Sequence, residues 1–205
     1  MTPGRAQSEA MWSNHVVLIL VRHGRTAANA EGRIQGRLDL PLDEVGQGQA
    51  EALAAWVGPV DEVITSPLLR ARQTAAAWGT ETRIDERWVE LDFGVYDGLP
   101  SAEVPHSIWS HWRTDATFAP DGGESLVSLL DRLQPALDEM VESARHRDVV
   151  VVSHVSPIKA AMSWALGVGL DVGWRAHLGH AAICRIGFGA NGPVLHSFNE
   201  TAHLR

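Results

Sequence analysis

Apolar positions in this chain alternate between short continuous runs and stripes spaced at helical intervals. The run Val16-Val17-Leu18-Ile19-Leu20-Val21 has the length and content of a strand buried on both faces. After Arg22-His23-Gly24 a polar, glycine-bearing loop leads to Pro41. Val45, Ala52, Leu53 and Trp56 then mark the apolar face of a helix near Asp43 to Val57. Glu62-Val63-Ile64-Thr65 reads as a second strand. Ser66-Pro67 supplies an N-cap and the residue favoured at the first helical position, which predicts a helix to about Trp78. Residues 82–99 read as short extended pieces around Glu90, with turns at Gly94 and Gly98. Residues 100–120, carrying Pro105, Trp109, Trp112 and Pro120, read as irregular.

Gly122-Gly123-Glu124-Ser125 introduces an amphipathic helix running to about Arg147. Leu126, Leu129, Leu130, Leu133 and Leu137 lie on one face, and Pro135 predicts a kink. Asp148-Val149-Val150-Val151-Val152 is a further buried strand ended by Ser153-His154, and Ser156-Pro157 opens a helix to about Leu166. Strands near 181–188 and 193–198 finish the pattern. Strands alternating with helices imply an α/β fold, a three-layer α/β/α domain with a mostly parallel central sheet. The expected organisation is a flexible N-terminal extension over residues 1–13 and a single domain over 14–205. In such sheets the working crevice lies at the carboxyl ends of the strands. Arg22-His23, Ser66 to Arg70 and Ser153-His154 all fall there.

Composition narrows the function. The chain has 17 Lys+Arg against 25 Asp+Glu, a formal charge of −8, which argues against a nucleic-acid or anionic-membrane partner. Lys159 is the only lysine, and that skew toward arginine reads as compositional bias. A single cysteine, Cys184, excludes an internal disulfide framework and a cysteine-rich zinc module. The longest apolar run is far too short to cross a bilayer. The first fifteen residues lack the apolar core of a secretory signal, so a cytoplasmic protein is expected.

The residues at the strand ends fit the needs of a phosphoryl group. Arg22 and Arg70 offer bidentate cations, and the helices opening at Pro67 and Pro157 offer N–H groups and a favourable dipole. Two histidines arriving from separate strand ends, His23 and His154, fit a neutral nucleophile and a hydrogen-bond donor.

The run Leu20-Val21-Arg22-His23-Gly24-Arg25-Thr26-Ala27-Ala28-Asn29 resembles the signature of the histidine phosphatase superfamily, which includes the cofactor-dependent phosphoglycerate mutases. The likeness continues in order through Ser66-Pro67-Leu68-Leu69-Arg70-Ala71, Thr74-Ala75, Glu90-Leu91-Asp92-Phe93-Gly94, Gly98, Gly122-Gly123-Glu124-Ser125 and Val151-Val152-Ser153-His154, covering most of residues 16 to 160. The resemblance implies a phosphoglycerate mutase-like fold, His23 as the nucleophile that forms a phosphohistidine, and Arg22, Arg70 and His154 around the phosphoryl oxygens. Asn29 would add a hydrogen bond. Glu90 would be the general acid and then the base that activates water, a role helped by partial burial or by a negative neighbour such as the phosphate itself. Gln35 and the Val155 N–H would touch substrate. The resemblance requires no metal and no cofactor.

Val155 and Ser156 stand where the family often has glycine after the second histidine. The segment Ser153 to Lys159 and the tail Phe198 to Leu204 are similar to alpha-ribazole-phosphatase-like members. The leading expectation is a metal-independent phosphomonoesterase acting on a small-molecule phosphate ester. A mutase is the close alternative, although Leu91 follows Glu90 where mutases carry arginine. A non-catalytic phospho-ligand binder is the alternative of another class. A homodimer through an exposed strand or the tryptophan-bearing surface is compatible with the pattern.

Other residues have plainer readings. Thr26 and Gln35 suit ordinary loop roles as well as substrate contact, and Asp92 suits either a pocket arginine or a turn cap. Trp56, Trp78 and Trp164 read as packing residues, and His106 and His111 as rim or core residues. His177 and His180, three apart, lack a third metal ligand nearby and read as exposed or helix-capping.

Overall fold

The computed structural model describes residues 17–144 and 146–205, so the extension predicted over residues 1–13 lies outside the described residues. Its elements in chain order are β1 (Val17–Arg22), the single turn α1 (Ala27–Ala30), α2 (Glu44–Val57), β2 (Glu62–Thr65), α3 (Leu69–Ala75) and β3 (Thr82–Ile84). Then come α4 (His106–Thr114), α5 (Leu126–Ser143), β4 (Val149–Ser153), α6 (Val155–Leu166), β5 (Ile183–Gly189) and β6 (Gly192–Glu200). The six strands form one sheet in the order β3-β2-β4-β1-β5-β6. β3, β2, β4 and β1 are parallel, while β5 and β6 each run antiparallel to the strand before them in that order.

Side chains alternate across the sheet, and each face has its own helices. Leu18 and Leu20 of β1 and Val149 and Val151 of β4 pack under α5 and α6, with Leu129, Leu133, Leu137 and Ile158. Ile19, Val21, Val150 and Val152 face the other way, onto Leu53 of α2 and Ala71 and Ala75 of α3. A smaller cluster around the fully buried Trp112 gathers Ile34, Val104, Phe93, Tyr96 and Phe118 beyond the strand ends. The three-layer α/β expectation stands.

The register sets the site. Arg22 is opposite Ser153, and Thr65 is opposite Val152, so three neighbouring parallel strands end together. His23 N–H then donates to Ser153 O (3.0 Å) and Ser66 N–H to Val152 O (2.9 Å) before the chains diverge into loops.

Several local expectations are corrected. Residues 106–114, read as irregular, form α4. Val104, Ile108 and Trp112 recur every four residues and bury against the aromatic cluster, a stripe masked by the flanking prolines. α3 begins at Leu69 rather than Pro67, because Leu68 is extended (φ −69°, ψ 137°) and the Leu69 N–H is capped by Asp39. α6 begins at Val155 with His154 at its N-cap, leaving Pro157 in the first turn, where its missing N–H breaks no helical bond. α5 ends at Ser143 and is continuous through Pro135.

The buried side of α2 is Gly46, Ala50 and Leu53, whereas Val45 and Trp56 are 47% and 55% exposed. The reason is close approach. A Cβ on Gly46 would lie 2.0 Å from Arg25 O, and one on Gly24 would lie 2.5 Å from Gly46 O, so the turn after His23 rests on the helix backbone. Asp43 locks this contact, accepting from Gly46 N–H (2.7 Å) and from Arg25 Nε (2.8 Å).

Gly46→Ala and Gly48→Ala lie on the same helix and separate these effects. At Gly48, which has open space around it, alanine should stabilise by up to about 1 kcal/mol through helix propensity. At Gly46 the same propensity should be outweighed by the clash, for a net loss of about 1–3 kcal/mol in urea unfolding. Equal gains at both positions would contradict the close contact.

Candidate active site

His23 leaves β1 almost fully buried, and its Nδ1 lies 2.7 Å from Gly24 O. A carbonyl only accepts, so Nδ1 carries the proton and Nε2 presents a lone pair. Burial, then Arg70 and Arg22, hold the ring well below the ordinary 6.5 and keep it neutral. His154 follows β4 and is wholly buried, its ring centroid 5.1 Å from that of His23. Its Nε2 lies 2.7 Å from Ser66 Oγ, which also accepts the Leu68 N–H (3.3 Å). Ser66 donating to Nε2 would leave the proton of His154 on Nδ1. Burial, followed by Arg70 and His23, also depresses His154.

Arg22 donates from Nη1 to Leu178 O (2.7 Å). Arg70, in the first turn of α3, donates from Nη1 to Leu38 O (2.6 Å) and from Nη2 to Gly36 O (2.8 Å). Burial lowers both guanidinium groups to about 10, so both remain cations at neutral pH. In each case Glu90 opposes the shift. Arg22 Nε, Arg70 Nε and His154 Nδ1 are buried and have no hydrogen-bond partner among the described residues. Unpaired buried donors are costly, so three in one place mark a site that an acceptor completes.

Glu90 is buried on the segment after Trp88. Its Oε1 accepts from the Leu91 and Ser156 N–H groups (2.8 and 3.1 Å), and its Oε2 accepts from the Val155 N–H (3.1 Å). The helix N-termini expected to face phosphate therefore face protein carboxylates: α6 meets Glu90 and α3 meets Asp39. The Val155 amide is engaged, although the residue lines the same cavity as Arg22, His23, Arg70 and Glu90. His154 is wholly buried beside His23 at the edge of that lining. Asn29 and Gln35 also line the cavity. Asn29 forms a capping box with Thr26, and Gln35 accepts from the Thr26 hydroxyl (2.9 Å), so both are already tied into the loop.

Supporting residues went unnoticed in the sequence. Thr74 accepts the Gly24 N–H (3.0 Å) and donates to Arg70 O (2.8 Å), linking the His23 turn to α3. Asp97 accepts the Arg37 N–H (2.9 Å) and lies against Gly36 (φ +45°), whose Cβ would stand 1.9 Å from its Oδ1. The loop whose carbonyls grip Arg70 is thereby held from both sides, and burial pushes Asp97 up to about 6. Arg132 on α5 braces Glu90, donating to Val89 O (2.8 Å) and Glu90 O (3.3 Å) while paired with Glu124 (2.7 Å).

The remaining candidates take their plainer roles. Asp92 caps a turn, accepting the Gly94 N–H (2.8 Å). Trp78 and Trp164 pack on the core, whereas Trp56 does not. His106 and His111 are exposed on α4. His177 and His180 lie outside any helix; His180 is half-buried, and burial followed by Arg22 lowers it to about 4. Among the described residues no group of three or more His, Cys, Asp or Glu is arranged to hold a metal ion.

The family model of the histidine phosphatase superfamily (branch 1) matches residues 18–201. Three mycobacterial relatives, among them a bifunctional protein of Mycobacterium tuberculosis, are 35% identical over 198 residues. That match covers 91% of this chain and 54% of theirs, so the chain spans about half the length of those curated relatives. Glucosyl-3-phosphoglycerate phosphatase of Mycobacterium tuberculosis is 35% identical over 192 residues, 80% of this chain and 86% of that protein. The solved structure of phosphoserine phosphatase from Entamoeba histolytica, in complex with 3-phosphoglyceric acid, superposes with a TM-score of 0.85 at 31% identity, covering 92% of this chain and 99% of that one.

The buried neutral rings make stability depend on pH. Above about pH 6.5 both rings are neutral folded and unfolded and contribute nothing to the dependence. Below it the unfolded chain takes up protons that the native rings refuse, so stability falls with pH by about 1.4 kcal/mol per unit for each ring. Saturating inorganic phosphate favours the charged rings and should flatten the fall in urea midpoint between about pH 7 and about pH 5.5. An equal fall with and without phosphate would separate the histidines from the anion site.

Proposed function

Because the chain belongs to branch 1 of the histidine phosphatase superfamily, we propose that it is a metal-independent phosphomonoesterase that hydrolyses small phosphate esters through a phosphohistidine on His23. The observation that carries this reading is the placement of a neutral imidazole among buried donors with nothing to bind: Arg22 Nε, Arg70 Nε and His154 Nδ1. A phosphate monoester carries roughly −1.5 to −2 charges at neutral pH and offers acceptors to all of them. Its transition state is stabilised mainly by position and charge, which a desolvated pair of arginines supplies.

In the proposed cycle His23 Nε2 attacks phosphorus as the ester P–O bond breaks. Glu90, protonated, gives its proton to the leaving oxygen. The carboxylate then takes a proton from water as that water attacks the phosphohistidine, the N–P bond breaks, and inorganic phosphate leaves. His154 Nδ1–H donates to a phosphoryl oxygen while Ser66 holds its tautomer. The names of the relatives, a glucosyl-3-phosphoglycerate phosphatase and a phosphoserine phosphatase, support hydrolysis over mutase chemistry. Among the described residues no helix is long and apolar enough to cross a membrane. That is in keeping with a cytoplasmic enzyme acting on a small dissolved ester.

Release of nitrophenol from p-nitrophenyl phosphate in the presence of EDTA tests the reading. His23→Ala should reduce it at least about a thousandfold, and 32P trapped without acid should reside on an imidazole. Label on serine or aspartate would redirect the mechanism. Glu90→Gln should slow esters of poor leaving groups by about 10²–10⁴-fold and nitrophenol esters much less, since a good leaving group needs little protonation. Equal losses on both would remove Glu90 as the acid.

A further inference from the structure

Lys159 lies on α6, one turn beyond the amides that hold Glu90, and its side chain enters the cavity wall. The cavity holds about 620 Å³, considerably more than the phosphoryl corner formed by His23, Arg22 and Arg70 uses. Away from that corner its lining is mostly apolar and aromatic, with Phe93, Leu126 and Leu170 on the sides. Trp109 and Trp174 meet edge to face in the same wall (6.3 Å, 82°). Two cations belong to this outer region. Arg33 is engaged by Glu31 (2.7 Å) and Gly98 O (3.0 Å). Lys159 takes no ion pair or hydrogen bond with a described residue, although its stem is packed. A Cβ on the buried Gly173 would lie 3.5 and 3.7 Å from its Cβ and Cδ. Burial lowers its pKa, Glu90 opposes the shift and Arg22 adds to it. Both Glu90 oxygens are already filled by backbone N–H groups, so Glu90 is not its hydrogen-bonding partner.

A half-buried ammonium without a partner is expensive unless something charged and external completes it. We infer that Lys159 receives a carboxylate on the leaving alcohol, so that the preferred substrates are phosphate monoesters of hydroxy acids or hydroxy-amino acids. The inference rests on the phosphatase reading above. Gly173 lies beside Lys159, within van der Waals reach of the lysine stem from the segment Leu170–Arg175. The packed stem carries the ammonium in the wall of the same cavity, within electrostatic reach of Arg22 and Glu90. One end of the substrate is thereby gripped at phosphorus and the other at the acid, with the hydrocarbon between them against apolar wall.

Two matched pairs of esters test this: 3-phosphoglycerate against glycerol 3-phosphate, and O-phosphoserine against phosphoethanolamine. Members of each pair differ in the carboxylate. The wild-type enzyme should favour the acid of each pair by about tenfold or more in kcat/KM. Lys159→Met should lose about 10–100-fold on the acids, mainly through KM, and less than about threefold on their partners, with Lys159→Arg restoring part of the loss. Equal loss on both members would make Lys159 a structural residue or a modulator of Glu90, and no loss on either would make it a bystander; each overturns the inference. Calorimetric binding of both members of each pair to His23→Ala protein, with and without Lys159→Met, reads the same discrimination without turnover. Absence of hydrolysis of every ester together with carboxylate-selective binding would therefore sink the phosphatase reading and leave the subsite standing. Hydrolysis without carboxylate selectivity would do the reverse.

Discussion

Two arginine side chains removed from water set the conditions for everything around them. Arg22 and Arg70 are gathered at the end of the sheet with parts of their guanidinium groups satisfied only by carbonyls of Leu178, Gly36 and Leu38. Carbonyl dipoles hold such groups in place but do not neutralise them. Burial first, and then their field, makes a positive charge on either ring unfavourable, so His23 and His154 are neutral. Neutrality leaves His23 a lone pair, and the Gly24 carbonyl, by accepting a hydrogen bond from Nδ1–H, leaves that lone pair on Nε2. On the proposed mechanism the nucleophile is thus prepared by its burial among charges, which an incoming dianion relieves.

Glu90 supplies the balancing negative charge, and its placement revises the usual account of a helix N-terminus. The dipole and first amides of α6 suit an anion, and the expected occupant was phosphate. They hold Glu90 instead, while Arg132 fixes the backbone behind it from α5. The carboxylate is therefore positioned by the helix, and the phosphoryl group is left to side chains whose unpaired donors point to that use. Separating the two anion sites in this way keeps the proposed proton carrier beside the phosphoryl corner without having it compete for the same donors.

The sheet and the gathering of Arg22, His23 and His154 at its strand ends were legible because they rest on local signals: valine-rich runs, Ser-Pro helix starts, and polar residues directly after strand ends. The register then converted chain positions into neighbours, as with Arg22 opposite Ser153. Two of the errors share one origin, which is contact between distant segments. α2 turns Gly46 rather than Val45 inward because backbone must approach backbone at Arg25, a demand that hydrophobic spacing does not encode. α4 escaped notice because prolines and tryptophans look irregular until Trp112 is seen buried among Phe93, Tyr96 and Phe118. Ser66 read as a helix cap, Thr74 as part of the family likeness, and Asp97 had no reading; their partners His154, Gly24 and Arg37 identify their work.

The cavity divides accordingly into a corner and a wall with different physical origins. The corner is built on three strand ends whose hydrogen-bonded register leaves little freedom, so any change there alters charge balance and chemistry together. The wall comes from α4, the segment Leu170–Arg175 and the outer side of α6, held by side-chain packing around the aromatic cluster. Packing tolerates replacement of one apolar group by another better than a buried charge network tolerates loss of a partner. A family with one phosphoryl chemistry can therefore change its leaving group by exchanging wall residues while the corner is kept. In this chain the apolar wall carries one unpaired cation on a rigid helix, an arrangement suited to recognising the acid end of a substrate without disturbing the nucleophile.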